Sequence, residues 1–108
     1  MHPLTAALPS TLCYLDGEYT ALKDARISVL DRGFIFGDGV YEVVPAYGGQ
    51  PFCFDEHMAR LDRSLAELQI ANPLTLAQWR GIVMRLVEPG GDAPQAVYFQ
   101  ITRGVAPR

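Results

Sequence analysis

The chain has 108 residues, 49% of them hydrophobic and 19% charged, with a formal net charge of −3. This composition is globular and amounts to one domain, and its acidic balance excludes broad nucleic-acid binding, which needs a basic face. No apolar stretch approaches the roughly 20 residues that span a bilayer, and Met1-His2-Pro3-Leu4 lacks the basic region and apolar run of a secretory leader, so a soluble cytoplasmic protein is expected.

Residues 1–10 read as a loose tail and residues 11–108 as one domain. Leu12 to Leu15 and Glu18 to Leu22 flank Asp16-Gly17, a dipeptide that strongly favours a hairpin turn. Lys23 to Arg26 is a polar turn, and Ile27 to Leu30 a short extended piece. The run Asp31-Arg32-Gly33-Phe34-Ile35-Phe36-Gly37-Asp38-Gly39 follows. Its glycines predict a tight turn that feeds a strand over Val40 to Tyr47. Gly48 to Pro51 is a turn, and Phe52-Cys53-Phe54 a returning extended segment.

Asp55 is the expected N-cap of a helix, with Phe54 at the staple position. Met58, Leu61, Leu65 and Leu68 recur every three or four residues and form its apolar stripe. Asn72-Pro73 ends this element. Thr75 and Gln78 make a capping box for a second helix, whose stripe is Trp79, Ile82, Val83, Leu86 and Val87. Pro89-Gly90-Gly91 stops it, and Ala96 to Thr102 is the last strand. The order of strands and helices predicts an α+β fold, an antiparallel sheet with two helices packed on one face.

Cys13 and Cys53 lie in apolar runs and are expected to be buried free thiols. With His2 and His57 as the only histidines, no spacing suggests a zinc site. Lys23 is the single lysine, and the other basic residues are all arginine.

Tyr41 and Glu42 must point to opposite faces of a regular strand, so one faces a pocket or partner and the other packs elsewhere. Arg60 sits at the shoulder of the first helix's stripe. There it either reaches an anion or pairs with Glu56 one turn back. Arg103 and Arg108 flank Gly104 and Pro107 in a constrained loop with two anion donors. Gly37-Asp38-Gly39 lacks the third glycine and the strand-then-helix setting of a dinucleotide fingerprint.

Four segments, in order, resemble one family. They are Tyr14-Leu15-Asp16-Gly17-Glu18, Asp31-Arg32-Gly33 through Glu42-Val43, Asp55-Glu56-His57 with Arg60-Leu61, and Tyr98 through Gly104 with Pro107-Arg108. Together they look like the amino-terminal lobe of fold-type IV pyridoxal-phosphate aminotransferases, most of all the D-amino-acid transaminase branch. The resemblance implies that Arg60 binds the cofactor phosphate and that Tyr41 helps hold the substrate α-carboxylate. It implies that Val43 and Tyr98 wall the pocket, and that Arg108 belongs to a carboxylate trap reaching across a homodimer. It implies a ping-pong exchange between a D-amino acid such as D-alanine and a 2-oxo acid such as 2-oxoglutarate. The Schiff-base lysine of such enzymes is expected beyond residue 108, in a second, cofactor-binding domain. No catalytic residue is therefore assigned in this chain, which is expected to be a truncated and inactive lobe.

Branched-chain aminotransferases and aminodeoxychorismate lyases are the neighbouring alternatives. The former usually carry Phe-Glu-Gly where this chain has Tyr41-Glu42-Val43, and the latter Phe at the position of Tyr41. Pro45 departs from the charged residue often found in the resembled branch. A folded, self-associating module without ligand is the non-enzyme alternative.

Overall fold

The computed structural model describes residues 11–107, and the tail read over residues 1–10 lies outside them. Strands β1 (Leu12–Leu15) and β2 (Glu18–Ala21) form the expected hairpin. Asp16 and Gly17 both take positive φ, 50° and 90°, as a two-residue turn matched to strand twist requires. A 3-10 turn, Leu22–Asp24, follows. Ile27 to Leu30 forms no strand.

The glycine-rich run is not simply a turn. Arg32–Phe36 is a short helix, α1. The Asp31 side chain caps it by accepting from Gly33 N at 2.8 Å, and Gly37 closes it in the left-handed region at φ 65°. Strand β3 (Gly39–Tyr47) then pairs antiparallel with the two-residue β4 (Gln50–Pro51) and with β5 (Gln95–Thr102). The sheet order is β4-β3-β5, and the β1-β2 hairpin is a separate sheet. The single antiparallel sheet of the sequence reading is thus two sheets.

Helix α2 spans Phe54–Glu67. Cys53, not Asp55, is its N-cap; it sits at φ 53° and provides no side-chain cap, and Asp55 falls within the first turn. Phe52 and Cys53 form a turn instead of returning as strand, and Cys53 is exposed while Cys13 is half-buried. Both thiols are free, but the expectation that they are buried fails. Cys53 fails because it lies at the turn into α2, ahead of the helix's buried stripe. Helix α3 (Leu76–Val87) starts on the predicted capping box, with Thr75 and Gln78 each bonded to the other's backbone.

Alternation along β3 puts Glu42, Val44 and Ala46 inward and Tyr41, Val43 and Tyr47 outward. Val44 and Ala46 meet Phe54, Met58, Leu61 and Leu65 of α2, Trp79, Val83 and Val87 of α3, and Val97 of β5 in one core. Leu68 lies past the end of α2 and stays exposed, while Leu86 packs at the core's margin. Asn72 ties the two helices together. Its Oδ1 accepts from Trp79 Nε1 at 2.8 Å and its amide donates to Asp62. Both long helices therefore cover one face of the three-stranded sheet. No helix among the described residues is long and apolar enough to cross a membrane.

Candidate functional site

The open face of the sheet is set by register. Tyr41 pairs with Gln100 and Val43 with Tyr98 across β3 and β5. Tyr41 and Tyr98 are diagonal neighbours on that face, and their rings stack at 5.7 Å. The Tyr98 hydroxyl donates to Gln100 Oε1 at 2.8 Å. Tyr41 and Tyr98 are 65% and 59% exposed, so two aromatic rings and Val43 line a surface that the core does not use. The three pocket residues predicted on this strand pair are thus brought together.

Arg60 is reached from the other side of β3. Glu42 points inward and is 4% exposed. Its carboxylate accepts from Arg60 Nε (Oε2, 2.8 Å) and Arg60 Nη2 (Oε1, 2.8 Å), a bidentate pair, and contacts His57 Nδ1 at 2.8 Å. Arg60, and to a lesser degree His57, holds the Glu42 carboxyl below the usual carboxylate range. The carboxylate is therefore ionised and can only accept. It follows that His57 Nδ1 carries a proton and donates. Glu42 in turn raises Arg60, with a smaller contribution from Tyr41. Helix spacing offered Glu56 as the carboxylate for Arg60; the one it pairs with is Glu42, across the sheet–helix boundary. Sequence spacing missed Glu42 as that partner, although a charged residue at an inward position between Val40 and Val44 was the available signal.

The glycine run and the basic loop also meet. Asp38 Oδ2 accepts from Arg103 Nε at 2.8 Å and from Arg32 Nε at 3.1 Å. The two arginines, Arg103 foremost, hold this carboxyl below its usual range. Arg103 Nη2 also donates to Leu68 O at 2.6 Å, and Arg103 N to Asp38 O at 3.0 Å. Arg103 is thus spent on pinning α1, β5 and the end of α2 together. Arg108 lies outside the described residues.

The family described as "Amino-transferase class IV" matches residues 39–108, from the start of β3 to the chain's last residue. The chain belongs to the class IV aminotransferase family. D-alanine aminotransferase of Staphylococcus haemolyticus is 38% identical to this class IV chain over 98 residues, 91% of the chain and 35% of that protein. The chain therefore spans about a third of the length of this relative. A fold IV-transaminase from Curtobacterium pusillum superposes with a TM-score of 0.74 at 28% identity, over 82% of this chain and 32% of that one. A hypothetical aminotransferase from Mycobacterium tuberculosis, in its PLP-bound form, gives a TM-score of 0.76 at 22% identity, over 88% of this chain and 34% of that one. This last likeness is one of fold.

The donor set at Arg60 has the chemistry to hold an anion such as a phosphate. A guanidinium has five N–H donors. Arg60 directs its Nε and one Nη2 hydrogen at Glu42 and makes no hydrogen bond through Nη1 among the described residues. Lys23, the single lysine, is exposed on the 3-10 turn between β2 and α1. It is not enclosed in an apolar pocket, as an imine-forming lysine would be.

Proposed function

We propose that this chain is one lobe of a pyridoxal-phosphate-dependent D-amino-acid transaminase. The reaction moves an amino group between a D-amino acid such as D-alanine and a 2-oxo acid such as 2-oxoglutarate. The observation that carries this reading is the bidentate Glu42–Arg60 pair on the strand that also presents Tyr41 and Val43. It ties an oriented anion donor on α2 to the strand that carries the aromatic wall. The 38% identity to D-alanine aminotransferase supports the D-amino acid as substrate.

In this reading Arg60 binds the cofactor phosphate, a doubly charged group suited to a planar fork of donors. Tyr41 offers its hydroxyl to the substrate carboxylate, and Val43 and Tyr98 shape the wall and exclude water. Arg108 serves a homodimer partner's carboxylate site. When bound, pyridoxal phosphate supplies the carbonyl that takes up the amino group and the ring that draws electrons from the α-carbon. The chain alone is expected to be inactive, because its single lysine, Lys23, is exposed on a turn and not placed to move the α-proton. Free thiols at Cys13 and Cys53 suit the reducing cytoplasm as the setting.

The test is turnover by the full-length protein with 2-oxoglutarate as acceptor. D-alanine is expected to be consumed and L-leucine to be ignored. Activity with L-leucine alone would assign the protein to the branched-chain enzymes instead.

A further inference from the structure

Glu42 is the buried polar or charged residue of the core face. Its inward neighbours on β3 are Val40, Val44 and Ala46, and it faces Phe99 across the ladder. An apolar side chain would pack there without the cost of desolvating a carboxylate. A buried ion pair is weak evidence for stability, because a hydrophobic replacement often does as well. The charge at this position therefore calls for a reason beyond packing, and the geometry supplies one.

The three donors on the carboxylate come from one helix, α2. Arg60 gives two of them through Nε and Nη2, which lie on one side of the guanidinium. His57 gives the third, from one turn earlier. Oε1 accepts from both His57 Nδ1 and Arg60 Nη2, and those two nitrogens lie 3.4 Å apart. The guanidinium plane is thus fixed, on a side chain that is itself 59% exposed. An arginine free to rotate would have to be ordered each time it bound an anion. Glu56, His57, Arg60 and Arg63 line the shallow groove at this end of α2, so a second guanidinium faces the same space.

We infer that Glu42 is a positioning residue: from inside the core it locks Arg60 with its unspent donors outward, as a preset fork for a phosphate monoester. His57 braces the same carboxylate and prevents it from swinging away. Neither residue touches the phosphate. The inference rests on the reading of Arg60 as the phosphate contact, and concerns how that contact is made selective. Preorganisation of this kind lowers the ordering cost of binding.

The experiment is a binding titration on the full-length protein, with pyridoxal phosphate and pyridoxal as paired probes. In Glu42→Gln the affinity for pyridoxal phosphate is expected to fall roughly tenfold, the scale of a lost charged hydrogen bond, while that for pyridoxal is unchanged. In Arg60→Ala the phosphate-bearing probe is expected to weaken roughly 100-fold, and the double variant to be no weaker than Arg60→Ala. Equal weakening of both probes in Glu42→Gln, or none in either, would overturn the positioning role while leaving Arg60 as the phosphate contact. An Arg60→Ala protein that still prefers the phosphate-bearing probe would overturn the reading of Arg60 itself. Should Glu42→Gln fail to fold, Arg60→Lys gives the same answer. A lysine keeps the charge but cannot span both oxygens of Glu42 and still present an outward fork. Retained wild-type preference in Arg60→Lys would sink the inference.

Discussion

Glu42 joins two demands in one side chain. It is held ionised by Arg60 and His57, so its contribution to stability has a definite sign with pH. A carboxyl whose folded pKa is depressed stabilises fully above its unfolded value, roughly pH 4.3. That contribution is lost as the pH falls through the folded pKa. Unfolding free energies of wild type and Glu42→Gln from urea denaturation should therefore differ most near neutrality, by about 1–3 kcal/mol, and converge toward pH 2. A gap that widens in acid would contradict the assignment. The opposite facing of Tyr41 and Glu42 was legible in the sequence, because a strand's period of two is local. The partner of Glu42 was not. Residue 60 lies across a layer boundary, and one-dimensional spacing offers Glu56 because it shares a helix face, whatever the core contains.

Among the elements, the start of β3 runs close against the backbone at the end of β5. A Cβ on Gly39 would lie 2.5 Å from Ile101 O and 3.0 Å from Thr102 Cα, both backbone atoms. Neither can yield without breaking the ladder. Gly39→Ala is expected to lower the unfolding free energy by about 1–3 kcal/mol, measured by urea denaturation. An unchanged midpoint would mean that the strand ends part without cost. This glycine belongs to the run Asp31 to Gly39, whose three glycines have different uses. Gly37 ends α1 at positive φ, and Gly39 admits a neighbouring strand. The α1 helix itself was unreadable as a turn-like segment, although both its signals were present: Asp31 as cap and Gly37 as stop. Five residues give too little periodicity to register as a helix. The capping box of α3 was legible in full because its two partners are three residues apart. The start of α2 was misplaced because Cys53 caps it through backbone conformation alone.

At the scale of the whole molecule, the layering is one-sided. Both long helices cover one face of the sheet, and Tyr41, Val43, Tyr47 and Tyr98 stand exposed on the other. Phe34 of α1 and Val105 add to the exposed apolar surface, at 66% and 61%. Exposed apolar surface, where it is contiguous, drives association. The 108-residue chain expressed alone is expected to run as a dimer or larger species in light scattering, with dissociation on dilution. A monodisperse monomer at high concentration would count against that expectation.

The alternation along β3 has a further consequence for how this protein can change. Its odd positions carry the aromatic wall and its even positions carry the core and the carboxylate that holds Arg60. Losing or gaining one residue between Gly39 and Glu42 would exchange the two sets at a stroke, sending Tyr41 into the hydrocarbon interior and Glu42 to the surface. Substitutions can tune either face singly, but length is frozen. Drift in this segment is confined to side-chain identity, whereas the Gly48-Gly49 turn beyond it, where both residues have positive φ and Gly48 is exposed, is free to vary in length.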